Sequence, residues 1–267
     1  MAILDHHHPW LFVFGVLGNI ISLLVFLAPL STFVRIWKAK STMGFHSVPY
    51  IVALFSSMLW IYYAYIKKNA ILLISINSLG ILIEAIYVLL FLIFASKTAR
   101  RHTLMELLVS VGGFALIFVV SWFPFSGEDR ISLVGWICVF VSTAVFAAPL
   151  SVVFQVIRTK SVEFLPFYLS FFLTTSAIMW FGYGLMMKDL RIALPNILGF
   201  FLGLLQILLY LLYRKAKPAI VMEEEDPKKT SQDHVVVGIE LQQDTTSSQT
   251  IHPVDSDTCS NSSVTSK

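Results

Sequence analysis

Phe26-Leu27-Ala28-Pro29-Leu30-Ser31 returns 120 residues later as Phe146-Ala147-Ala148-Pro149-Leu150-Ser151, and the match runs outward on both sides. Upstream, Ser22 meets Ser142 and Val25 meets Val145; downstream, Lys40-Ser41 meets Lys160-Ser161. Further on, Ser56, Trp60 and Tyr63 meet Ser176, Trp180 and Tyr183. With one residue dropped, Asn77-Ser78-Leu79-Gly80 meets Asn196-Ile197-Leu198-Gly199. Chance seldom aligns two prolines, two tryptophans and two asparagines inside apolar sequence, so the chain holds an internal duplication.

The duplicated unit is built for lipid. The chain has 267 residues, 57% of them hydrophobic and 13% charged, about half the charged share of a globular protein. Apolar runs long enough to cross the roughly 30 Å of hydrocarbon in a bilayer lie near 10–33, 45–66, 70–95, 104–125, 131–156, 165–187 and 192–213. In lipid these must be helices, because only a helix satisfies its own backbone. The duplication covers the first three and the last three. In both copies a basic loop joins the first helix to the second, so the copies are parallel. Two parallel units with an odd number of spans need one span between them, and the fourth run supplies it. The expected fold is all-α: seven transmembrane helices as two parallel three-helix bundles joined by a linker helix.

Charge orients the spans. Residues 1–217 carry sixteen Lys/Arg against seven Asp/Glu, whereas residues 218–267 carry three against nine. Eleven of the sixteen basic residues fall on one side (Arg35, Lys38, Lys40, Lys97, Arg100, Arg101, Arg158, Lys160, Arg214, Lys215 and Lys217) and five on the other. The positive-inside rule then puts the N-terminus outside and the acidic C-terminus in the cytosol. The expected division is an extracellular N-terminus at 1–9, a first repeat at 10–95 and a linker helix with its loops at 96–130. A second repeat at 131–213 and a disordered acidic tail at 214–267 complete it. The N-terminus lacks the basic region and cleavage site of a signal peptide, so the first helix is expected to insert and stay. Cys138 and Cys259 suit neither a disulfide nor a metal. His6-His7-His8 lies outside the membrane, and no metal, cofactor or nucleic-acid partner is indicated.

Helical spacing gathers the duplicated polar residues on shared faces. Ser22, Val25 and Pro29 share one, as do Ser142, Val145 and Pro149; Ser56 lies one turn from Trp60, and Ser176 one turn from Trp180. Asn77 lies about 10 Å inside the boundary at 1.5 Å per residue, a depth at which an amide should face protein. Small residues also let membrane helices approach, and a tryptophan near a boundary can be an interfacial anchor. Their recurrence at one spacing in both copies points instead to a central site. Paired amides suit hydroxyls and indole faces suit the C–H face of a sugar ring, so a neutral polyol is the expected ligand. Pro29, Pro49, Pro149 and Pro166 each remove a backbone hydrogen bond, giving hinges or static kinks. Glu84 is the acid set deep in a helix, a proton-coupling group or a structural hydrogen-bonding one.

Together, Gly18-Asn19, Ala28-Pro29, Lys40-Ser41-Thr42, Pro49-Tyr50, Leu59-Trp60, Phe146-Ala147-Ala148-Pro149-Leu150, Arg158-Thr159-Lys160-Ser161-Val162-Glu163-Phe164, Trp180 and Ala193-Leu194-Pro195-Asn196 resemble the SWEET family of sugar facilitators. The resemblance, to the plant type with seven helices, covers about residues 8–217. It implies a sugar pocket of Ser22, Val25, Ser56, Trp60, Asn77, Ser142, Val145, Ser176, Trp180 and Asn196. It also implies a cytosolic proline tetrad (Pro29, Pro49, Pro149, Pro166) and an outer gate of Tyr63 and Asp189. Passive transport in both directions, homo-oligomers, and a place in the plasma membrane, less often the vacuolar one, follow from the same likeness. The small Val145 and the long acidic tail resemble the sucrose-carrying group. The rivals are a proton-coupled carrier using Glu84 and a seven-helix receptor. The first is disfavoured because Leu30 and Leu150, not glutamines, follow the prolines; the second is disfavoured by the repeat. No enzyme reading arises, since no nucleophile–base set is present.

Overall fold

The computed structural model describes residues 9–68, 70–162, 165 and 167–214. Among them are α1 (Pro9–Leu27), α2 (Leu30–Ala39), α3 (Val48–Lys67), α4 (Ile71–Phe94), α5 (Lys97–Trp122), α6 (Gly127–Val145), α7 (Ala147–Thr159), α8 (Phe167–Met186) and α9 (Leu190–Tyr213). They form seven stretches long and apolar enough to cross a bilayer, with α1–α2 and α6–α7 each counting as one broken span. Large apolar side chains coat the outside; on α5 alone Leu104, Leu108, Val109, Leu116 and Val119 are about half exposed or more. A surface of that kind is soluble only in lipid.

The two broken spans have one cause. Proline has no N–H to give and its ring strikes the carbonyl four residues back. Ahead of Pro29, Ala28 N therefore donates to Val25 O three residues back (3.1 Å), and ahead of Pro149, Phe146 N donates to Thr143 O (3.1 Å). Pro49 differs from expectation: it sits in the first turn of α3, where the missing N–H would have had no helical partner, so it starts a helix instead of kinking one. Pro166 lies outside the described residues. Expected boundaries also move at α5, which begins at Lys97, seven residues before its apolar run. Ser96 caps it by accepting from Ala99 N (3.3 Å), and Arg100, expected in a loop, lies in the helix and donates to Leu92 O of α4 (3.0 Å).

The duplication reaches the backbone. Lys40 and Lys160 (φ 52° for both) end α2 and α7 in the left-handed conformation, and Lys68 and Lys188 (φ 69° and 52°) end α3 and α8 likewise. Both pairs are 120 residues apart. In each copy the third helix lies between the first and second: α4 packs on α1 and α3, and α9 on α6 and α8. The copies meet where α1 packs on α8 and α3 on α6. We call the end carrying the α3–α4 and α8–α9 turns the turn end, and the end carrying Lys40 and Lys160 the basic end. Toward the turn end one core joins both copies, with Leu59, Tyr63 and Ile76 of the first against Val134, Cys138, Tyr183 and Ile192 of the second. Toward the basic end it divides in two. Phe33, Ile36, Tyr87 and Phe91 belong to the first copy, and Val153, Val156, Leu165 and Leu209 to the second. The bundles are thus sealed together at one end and packed separately at the other.

Side-chain hydrogen bonds between helices tie the first copy to itself and to α5. Asn19 donates to Leu72 O (2.8 Å) and accepts from Ser75 (2.7 Å), and Tyr87 donates to Phe26 O (3.1 Å). Ser47 donates to Glu106 (2.8 Å) and lies 2.7 Å from Thr103 Oγ1, while Tyr62 and Ser121 share a bond of 2.8 Å.

Candidate functional site

Between the copies, where the shared core ends, lies a cavity of about 240 Å³. Trp60, Trp180, Asn77, Asn196, Ser22, Ser142, Ser176 and Val25 line it, so eight of the ten residues expected at the centre are brought together. Ser56 and Val145 are not in the wall. The sequence reading missed Phe26, Phe146, Leu73, Ile76, Ile192 and Pro195, which complete it. A signal for them existed, because each is the repeat mate of another: Phe26 of Phe146, Leu73 of Ile192, Ile76 of Pro195. Being apolar, they carried no chemistry to draw notice. Only Val25 and Ser176 line the wall without their mates, Val145 and Ser56. Val145 is the last residue of α6, at the break, and stays out of the wall although Phe146 beside it lines the cavity as its mate Phe26 does.

Each asparagine is fixed by its own helix. Asn77 Nδ2 donates to Leu73 O (2.8 Å) and Asn196 Nδ2 to Ile192 O (2.7 Å). Each side-chain carbonyl oxygen makes no hydrogen bond among the described residues and remains an acceptor for a ligand. The tryptophans are fixed by the opposite copy: Trp60 Nε1 donates to Ser142 Oγ (3.0 Å) and Trp180 Nε1 to Ser22 Oγ (2.9 Å). Behind them, Tyr63 stands edge-on to Trp60 and Tyr183 edge-on to Trp180, with centroids 5.7 and 5.3 Å apart.

Toward the turn end the cavity is closed. Tyr63 OH donates to Asp189, and Lys67 forms an ion pair with the same carboxylate. Asp189 also caps α9 by accepting from Arg191 N (3.0 Å). Tyr63 is fully buried and Asp189 nearly so. The copies come this close because Gly135 of α6 and its mate Gly15 of α1 lack side chains. A β-carbon at Gly135 would meet Tyr63 Cε2 at 2.8 Å, and one at Gly15 would meet Tyr183 Cε2 at 3.0 Å. The repeat mate of Asp189, Asn69, lies outside the described residues.

Glu84 is buried on α4, two turns from Asn77 toward the basic end, and does not line the cavity. Its Oε2 finds no hydrogen-bond partner among the described residues; Tyr50 and Tyr87 are within electrostatic reach. Among the described residues no three His, Cys, Asp or Glu side chains cluster as metal ligands. His6, His7, His8, Cys259 and the tail lie outside them.

Residues 12–99 and 132–218 match one family model, described as a sugar efflux transporter for intercellular exchange. The chain belongs to the MtN3/SWEET family. The two matched segments are the two copies, with α5 left between them. This SWEET chain is 54% identical to the bidirectional sugar transporter N3 of Medicago truncatula over 237 residues, 88% of either chain. It is 47% identical to the bidirectional sugar transporter SWEET10 of Arabidopsis thaliana over 247 residues, 91% of this chain and 86% of that one. Among solved structures, a eukaryotic SWEET transporter superposes with a TM-score of 0.74 at 36% identity, over 77% of this chain and 97% of that one.

Proposed function

We propose that the protein is a facilitative sugar carrier that moves sucrose, and hexoses less well, down their gradients in either direction. The observation that carries this reading is the cavity between the copies, lined by two tryptophans and two amides whose oxygens are free among the described residues, and sealed at the turn end. The apolar C–H face of a sugar stacks on Trp60 and Trp180, and its hydroxyls donate to Asn77 and Asn196. Binding between parallel repeats near the midplane is a common plan for secondary carriers. Rocking the copies about the breaks at Pro29 and Pro149 then closes the basic end and parts Tyr63 from Asp189. With the basic side in the cytosol, the arrangement is one that accepts sugar from inside. The plasma membrane as its site and assembly of several copies belong to the same proposal, on the strength of the family resemblance.

The test is uptake of labelled sucrose and glucose into oocytes at two external pH values, for the parent and for Asn196→Ala. The reading expects sucrose uptake that stops at equilibrium, barely responds to pH and disappears in the variant. Wild-type flux through Asn196→Ala at equal surface expression would remove the amide from the mechanism. A second reading, proton coupling through Glu84, has the unpartnered Oε2 in its favour and the distance from the cavity wall against it. Accumulation driven by acid pH and lost in Glu84→Gln would establish it.

A further inference from the structure

An indole carries a single hydrogen-bond donor. In this cavity both indole donors are already used, each by a serine of the opposite copy: Trp60 by Ser142 and Trp180 by Ser22. Neither tryptophan can offer its N–H to a sugar hydroxyl while these bonds stand. The serines, in turn, have turned a lone pair toward the indole. We propose that Ser22 and Ser142 are positioning residues, each clamping the other copy's tryptophan across the bundle interface so that the indole face keeps its angle to the substrate. This rests on the sugar-carrier reading above.

Three features support the clamp over direct sugar contact. The bonds are related by the repeat, so the same device was kept twice. They join α3 to α6 and α1 to α8, the pairs through which the copies touch, and lie beside the cavity about which the bundles rock. Trp180 is buried and Trp60 half-buried, so an indole N–H left without an acceptor would be costly, which ties each ring's rotamer to its serine. The two clamps differ in reinforcement. Ser22 Oγ also shares a 2.8 Å bond with Ser176 Oγ, so a second hydroxyl lies one hydrogen bond beyond the Trp180 acceptor. Among the described residues Ser56 makes no corresponding bond to Ser142. Trp60 therefore depends on one acceptor and Trp180 has another in reserve.

The experiment combines sugar affinity with a signal that needs no sugar. In full-length protein labelled with ¹⁵N-tryptophan, the indole N–H resonance of Trp60 is compared between parent, Ser142→Ala and Ser142→Thr. Binding of sucrose and of a series of its deoxy analogues is measured on the same samples. The clamp expects the Trp60 resonance to move upfield in Ser142→Ala and return in Ser142→Thr. It expects affinity to fall by about fivefold to tenfold, the loss of one ordinary hydrogen bond, by the same factor for every analogue. Trp60→Phe keeps an aromatic ring without the N–H; adding Ser142→Ala to it should change affinity by less than about twofold. Ser22→Ala should be milder than Ser142→Ala. A loss confined to one deoxy position, full additivity with Trp60→Phe, or an unmoved indole resonance would overturn the clamp. An indole that responds to Ser142→Ala in a protein that binds no sugar would instead overturn the carrier reading and leave the clamp as a bond between bundles.

Discussion

Replacing Asp189 by Asn should unlock the turn end. In the structure one carboxylate accepts from Tyr63 OH, pairs with Lys67 and caps α9 through Arg191 N. Asparagine keeps the shape and a carbonyl oxygen, so the cap and one neutral bond survive. The ion pair and the charge that strengthens the tyrosine bond are lost. Hydrogen bonds to charged groups contribute about 1.5–3 kcal/mol each. The Lys67 side chain is 18% exposed, so water recovers part of its share. A net loss of about 2 kcal/mol follows, which shifts the closed-to-open equilibrium about 30-fold. Cys138 is a built-in reporter. It is buried in the core shared by the copies beside Tyr63 and Ile192, and a reagent arriving from the turn end reaches it only when that core parts. With Cys259 replaced by Ser, labelling of Cys138 by a membrane-impermeant thiol reagent should be about 30-fold faster in Asp189→Asn, provided opening and closing outrun the reaction. A rate within about twofold of the parent, in a variant that still migrates as a folded particle, would mean that Asp189 does not hold the turn end shut.

Selectivity by size is expected from Val25 more than from Val145, because only Val25 is in the wall. Val25→Phe should lower sucrose relative to glucose transport by about tenfold, a few methylenes' worth of misfit, with Val145→Met shifting the ratio less; competition uptake decides. Lys188, exposed and left-handed at the end of α8, should gain from glycine. Relief of the backbone strain, partly offset by the freer unfolded chain, leaves about 0.5–1 kcal/mol, read as a higher melting temperature in detergent.

The apolar runs gave the seven spans, and the repeat made their grouping and most of the cavity legible, because Trp60, Asn77 and Ser22 each announced themselves twice. What stayed hidden was of another kind. Offset matching says which residues are equivalent, not which way each faces beside a break, and so Val145 was expected in a wall that only its mate Val25 joins. Proline content does not tell a first-turn proline from an interior one, hence Pro49. The start of α5 was invisible to a search for apolar runs, since its first turns are charged and held by Ser96. The acceptors of the indole protons lie 82 and 158 residues away and needed the packed bundles to be seen.

The ties within the first copy have an outcome for biosynthesis. Asn19, Ser47, Ser75 and Tyr62 find their partners among α1–α5, whereas the equivalent positions in the second copy are Val139, Phe167, Leu194 and Gly182, with no polar side chain to tie. The first four spans to leave the ribosome can therefore close these four side chains on one another before the rest is made, while Trp60, Tyr63 and Lys67 wait for Ser142 and Asp189. In the last three, Trp180 and Asp189 find side-chain partners on the finished half. Two units alike enough to be aligned by eye are thus unequal at birth, the first serving as the mould in which the second sets.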